Sequence, residues 1–208
     1  MPIQKRASFP CKASGLLFDF KVNLLPLLFA LFIAPRLATA DNLPAQVLAE
    51  VNLARSAPGT YAALLSERLA GFNGKEGHRV VEEAVRFLQE TKPCPVLVPS
   101  SGLRECAASH VASQGMSGGF GHGNFASRVR HFGQWREAAG ENIQYGVKDA
   151  RGIVMALIVD DGIKDRAHRL AIFNSRYGVA GVACGPHTRY GAMCVIDFAG
   201  SFMERTGD

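Results

Sequence analysis

The 208 residues, 48% of them hydrophobic and 20% charged, are enough to bury one sizeable core and too apolar for a disordered chain. The formal net charge of +5 sits mostly at the start: residues 1–40 hold five of the 23 basic side chains (Lys5, Arg6, Lys12, Lys21, Arg36) and one of the 18 acids (Asp19), leaving 18 against 17, net +1. A remainder so close to neutral has no electrostatic footprint for nucleic acid or an anionic membrane, and neither is expected as a partner.

The first element in chain order is an apolar run, Leu24 to Ala34 (LLPLLFALFIA), preceded by Lys21 and followed by Ala38-Thr39-Ala40. A basic stretch, a short apolar core and an A-x-A site make a secretory signal peptide, with cleavage after Ala40. A membrane-spanning helix needs about 20 apolar residues, and this run is about half of that. A lipoprotein would carry its cysteine after the run, whereas Cys11 precedes it. Residues 41–208 are expected to be a single exported domain, secreted or periplasmic, without a stable membrane anchor.

Asn42 can cap a helix with Val47, Leu48, Val51 and Ala54 on one face. Pro58 and Gly59 interrupt it, and amphipathic segments follow at Tyr61 to Leu69 and about Arg79 to Glu90. Pro93, Pro95 and Pro99 enforce an extended connection. Ser100 or Ser101 then caps a helix with an apolar stripe of Leu103, Cys106, Ala107, His110, Val111 and Met116, stopped by Gly118-Gly119. A helical turn fits Ala126 to Phe132, and Asp149 to Val159 reads as a helix burying Ile153, Val154, Leu157 and Ile158. Tyr177 to Cys184 and Tyr190 to Ala199 read as an antiparallel hairpin. Helices first and paired strands last give an α+β class, helices packed on a small antiparallel sheet.

With Cys11 in the leader, Cys94, Cys106, Cys184 and Cys194 remain. In an oxidising compartment these are expected to pair, Cys184 with Cys194 across the hairpin turn and Cys94 with Cys106. No C-x-x-C argues for a cysteine metal site.

The candidate chemistry gathers between Met116 and Gly146, where His122 lies between two glycines and Glu141 in AGENI; His168 follows in AHRLAIF. His110 reads as a core or boundary residue, His78, His131 and His187 as surface, and Trp135 as a packing anchor. There is no GKS or GKT after the GFGHGN loop and no HExxH, so nucleotide binding and the HExxH zinc-protease motif are not expected.

The ordered set GFGHGN, SRVRHFG, AGENIQYG, RAHRLAIFN, YGVAGVACG and VIDFAG resembles the bacterial branch of the CAP superfamily (cysteine-rich secretory, antigen 5 and pathogenesis-related-1 proteins), over about Ala45 to Gly200. The resemblance implies an αβα sandwich and a cleft with two histidines and two acids, which in several members holds a divalent metal such as zinc. It places His122 and His168 as the two histidines and Glu141 as the first acid. The second acid falls on Asp161, with Asp160 as the alternative; eukaryotic relatives carry the longer Glu. Ala171 also departs from the family, standing where bacterial relatives carry Asn. Two imidazoles are fewer than the three ligands of ordinary catalytic zinc, so a zinc or other divalent ion would be held weakly. Three functions fit: a binding module for a small molecule, lipid or protein; a metal-assisted hydrolase of peptides or esters using Glu141 as base; and a lipid or sterol carrier.

Overall fold

The computed structural model describes residues 42–68 and 71–205; the leader expected over residues 1–40 lies outside them. Asn42 Oδ1 accepts from Ala45 N and opens α1 (Leu43–Ser56). Pro58 does not so much interrupt a helix as start one, α2 (Pro58–Glu67), where a missing N–H costs nothing. Then come α3 (His78–Glu90), a two-residue β1 (Val98–Pro99) and α4 (Ser101–Ser117), which Ser100 caps by accepting from Leu103 N. Gly118 ends α4 with φ 71°, a left-handed conformation open to glycine. Asn124 caps α5 (Phe125–Phe132), β2 (Gly133–Tyr145) follows, and Asp149 caps α6 (Ala150–Val159). The chain continues through α7 (Ala167–Ile172) and closes in the hairpin of β3 (Val179–Gly185) and β4 (Met193–Glu204).

The four strands form one sheet in the order β1-β3-β4-β2. β3 and β4 form the expected antiparallel hairpin and β2 joins β4 antiparallel on the other side, but β1 runs parallel to β3, so the sheet is mixed. Alternate residues point to opposite faces. Ala180, Val182, Cys194, Ile196 and Phe198 face the larger core with α1, α2, α3 and α6. The other face meets α4 and α5, Val195 and Ile143 packing with Ala107 and Val111, Ala199 with Leu103, Cys106 and Val129. A Cβ on Gly181 would fall 2.0 Å from Arg104 N, so glycine there lets the α4 backbone lie directly on the sheet. Helices on both faces make the expected layered α+β architecture. No described helix is long and apolar enough to cross a membrane.

Arg55 ties the two halves of the larger core. It is fully buried with no carboxylate partner among the described residues, and its guanidinium donates instead to Pro95 O (2.9 Å), Ile172 O (2.5 Å), Asn174 O (3.1 Å) and Tyr177 O (3.2 Å). The helix α1 is thereby fixed to the proline-rich segment and to the loop after α7.

The cysteine expectation is half met. Cys184 and Cys194 face each other across the hairpin and form a disulfide. Cys94 and Cys106 do not pair, which corrects the second bridge. Cys106 is buried under α4, whereas Cys94 is bound on the α1 side, its N donating to Arg55 O and its Sγ lying 3.4 Å from Phe173 O, so the sheet stands between them. Two further expectations change: Met116 is 78% exposed rather than in the apolar stripe, and Trp135 is 42% exposed at the edge strand rather than a packing anchor.

Replacing Arg55 by Ala leaves several buried carbonyls without donors and should lower stability by about 3 kcal/mol or more in urea unfolding, a loss under about 1 kcal/mol contradicting the clamp. A chain starting at Asp41, unfolded without reductant, should titrate two thiols; none would restore the second bridge.

Candidate functional site

His122 sits in the loop joining α4 to α5, and that loop is held from below. His110 Nε2 and Gln114 Nε2 both donate to Gly121 O (3.0 and 2.8 Å), while Gly121 N donates to Tyr145 Oη (3.0 Å). Tyr145 in turn donates to Gln114 Oε1 (2.5 Å). Burial lowers the His110 pKa, leaving a neutral imidazole suited to this donor role. His187, expected at the surface, is buried: its Nε2 donates to Gly119 O (2.9 Å), and its Nδ1 accepts from Arg189 N and Tyr190 N. Those partners fix its tautomer and give it a structural role.

At the rim, His122 Nδ1 donates to Glu141 Oε1 at 2.9 Å. The Glu141 side chain is 1% exposed and that of His122 53%. Arg128, one turn into α5, donates to the other Glu141 oxygen through Nη2 and to His122 O through Nη1 (3.1 Å). Burial pushes the Glu141 carboxyl up, but the hydrogen bond from His122 and the charge of Arg128 outweigh it and hold it below its ordinary value. The same hydrogen bond raises the His122 pKa, against the opposing effect of burial.

His168 has its own acid, and it is Asp160. Asp160 Oδ1 accepts from His168 Nδ1 (2.6 Å), and its Oδ2 accepts from His168 N (2.9 Å) and Arg169 N (3.4 Å), the opening amides of α7. Asp160 ends α6 with φ 57° and is 3% exposed. Asp161, the first choice from sequence, points elsewhere: its carboxylate accepts from Lys75 N (2.6 Å) and Glu76 N (2.8 Å) and makes no hydrogen bond to His168. The left-handed turn at Asp160 sends the two adjacent carboxylates in different directions. Arg169 completes the corner, donating to Ile158 O, Val159 O and Glu83 Oε1.

β2 joins the two pairs. Glu141 faces α4 and α5, and Asn142, the next residue and therefore on the opposite face, donates to His168 O at 3.0 Å. Each histidine thus has Nδ1 on a buried carboxylate, and the Nε2 of neither is engaged by a hydrogen bond among the described residues. Among those residues, no three His, Cys, Asp or Glu side chains gather as one metal-holding group. Arg128 escaped the sequence reading; its position in SRVRHFG, one turn after the Asn124 cap, was its only signal.

Neither family models nor curated proteins match the sequence. Solved structures similar to the chain include an extracellular protein containing an SCP domain from Bacillus anthracis, at 19% identity and TM-score 0.41, the match covering 51% of this chain and 34% of that one. An outer surface protein from Borrelia burgdorferi matches at 17% identity and TM-score 0.43, with coverage of 58% and 86%. A cysteine-rich secretory protein from Staphylococcus aureus matches at 15% identity and TM-score 0.44, with coverage of 78% and 41%. Two of the three are SCP-domain or cysteine-rich secretory proteins by name, and the chain spans about a third of the first and two fifths of the third.

Because Glu141 raises the His122 pKa, the pair stabilises the fold at pH below the unfolded value of about 6.5 and loses that contribution as pH rises through the folded value. In metal-free protein, Glu141→Gln should bring the His122 imidazole titration, followed by NMR, back down toward 6.5; an unchanged titration would remove Glu141 as the cause.

Proposed function

We propose that this chain is an exported CAP-type binding module in which His122 and His168 present their Nε2 atoms to a ligand, a weakly held divalent cation being the simplest. The observation that carries the reading is the paired arrangement at Nδ1: Glu141 holds one imidazole and Asp160 the other. A carboxylate on the far ring nitrogen fixes the tautomer and aims the free nitrogen, as it does behind metal-bound histidines. Imidazole nitrogens suit a borderline ion such as zinc, for which His122 and His168 would be the ligands; two ligands from the chain would give low affinity and leave positions open to water or a further ligand. Such an ion, when bound, would supply Lewis acidity. Export is supported by the leader-like run before Ala40, by the formed Cys184–Cys194 bridge, and by the extracellular and outer-surface proteins among the similar structures.

Calorimetric titration of the metal-free chain with Zn²⁺ at pH 7 should show one weak site that His122→Ala or His168→Ala abolishes. Glu141→Gln and Asp160→Asn should each weaken it about 10- to 100-fold, while Asp161→Asn should not change it. Absence of zinc binding by the wild-type chain would overturn the cation reading.

A further inference from the structure

Asp197 lies in the middle of β4, opposite Glu141 on β2 and Gly181 on β3, in one row across the sheet. The row faces α4 and α5. Gly181 contributes no side chain, so the groups facing the Asp197 carboxyl are Glu141 from β2, Cys106 from α4 and Arg128 from α5, within the apolar packing of Leu103, Val129 and Ala199. The residue is fully buried, and among the described residues no N–H or hydroxyl donates to either of its oxygens.

An ionised carboxylate is costly in such a place, where the only hydrogen bonding toward it among the described residues comes from the Cys106 thiol, a weak donor. Residues directly opposite on antiparallel strands have Cβ atoms about 4.5 to 5.5 Å apart, so two ionised carboxyls here would repel at short range. Arg128 makes no hydrogen bond to Asp197: its Nη2 donates to Glu141 and its Nη1 to the His122 carbonyl, and its Nε has no hydrogen-bond partner among the described residues. The Cys106 thiol does not supply a charge either: burial and the neighbouring Asp197 push its pKa far up.

We propose that Asp197 is kept as a neutral carboxylic acid whose O–H donates to the Glu141 carboxylate, which makes it a positioning residue for His122. Glu141 then accepts from His122, Arg128 and Asp197, and one proton is held between the two carboxyls. Burial and the Glu141 charge both push the Asp197 pKa well above the ordinary carboxyl range, as the geometry requires. The part that gives His122 a role in binding rests on the proposed function; the protonation of Asp197 does not.

The test is carbon-13 NMR of the side-chain carboxyls in the metal-free wild-type chain, with Asp197 assigned through its own backbone. The Asp197 carboxyl should resonate as the acid at pH 7 and the Glu141 carboxyl as the carboxylate; a carboxylate signal from Asp197 at pH 7 would overturn the proposal. Asp197→Asn keeps the shape and an N–H donor toward Glu141. An acid whose pKa is raised by folding costs stability progressively as pH climbs from its unfolded value of about 3.9 to its folded one. The variant should therefore gain on wild type over that range, with the His122 imidazole titrating as before. Parallel stability profiles, or a lowered His122 pKa showing that a charge was removed, would count against it. Failure of zinc binding would sink the cation site and leave the carboxyl result standing.

Discussion

The site depends on the burial of one charge, the Glu141 carboxylate, on a strand at the edge of the sheet. A buried carboxylate must be met by donors, and β2 itself supplies none at that position. Arg128 and His122 meet it, which ties the first turn of α5 and the loop before it to the middle of β2. The same Arg128 closes on the His122 carbonyl, so the loop is gripped from above by the guanidinium and from below by His110, Gln114 and Tyr145. The side chain of His122 is left half exposed on a backbone that has little freedom.

The second histidine is held by the same chemistry on a different framework. Asp160 ends α6, binds the first amides of α7 and orients His168, and Arg169 satisfies carbonyls at the end of α6 while pairing with Glu83 on α3. Each imidazole therefore rests on a carboxylate that also has a structural task. Removing either acid would loosen a helix junction or a loop as well as a histidine, so the stability of the fold and the geometry of the site are coupled. The adjacent residues Glu141 and Asn142 bring the two assemblies together at β2 from its opposite faces.

Most helices were legible because their apolar positions recur with the helical period: α1, α3, α4 and α6 follow the expected segments, with Asn42, Ser100 and Asp149 as the caps. The β3–β4 hairpin was legible from its Val, Ile and small-residue runs. β2 was not, because GQWREAAGENIQY is polar, poor in β-branched residues and interrupted by a register shift between Arg136 and Ala139; pairing with β4, not local preference, makes it a strand. The six residues of α7 were too short for periodicity to register and are set by Asp160 and Arg169.

The sequence by itself determined the helical periods and the hairpin with its disulfide and, through family-like motifs, singled out His122, Glu141 and His168 as candidates. Tertiary structure alone decided which groups those residues meet. A left-handed residue at the end of α6 chose Asp160 over Asp161, the sheet standing between Cys94 and Cys106 kept them apart, and strand register set Asp197 against Glu141. Each outcome turns on the direction in which a side chain leaves the backbone. That direction is fixed by packing between segments far apart in the chain, which neither composition nor spacing records.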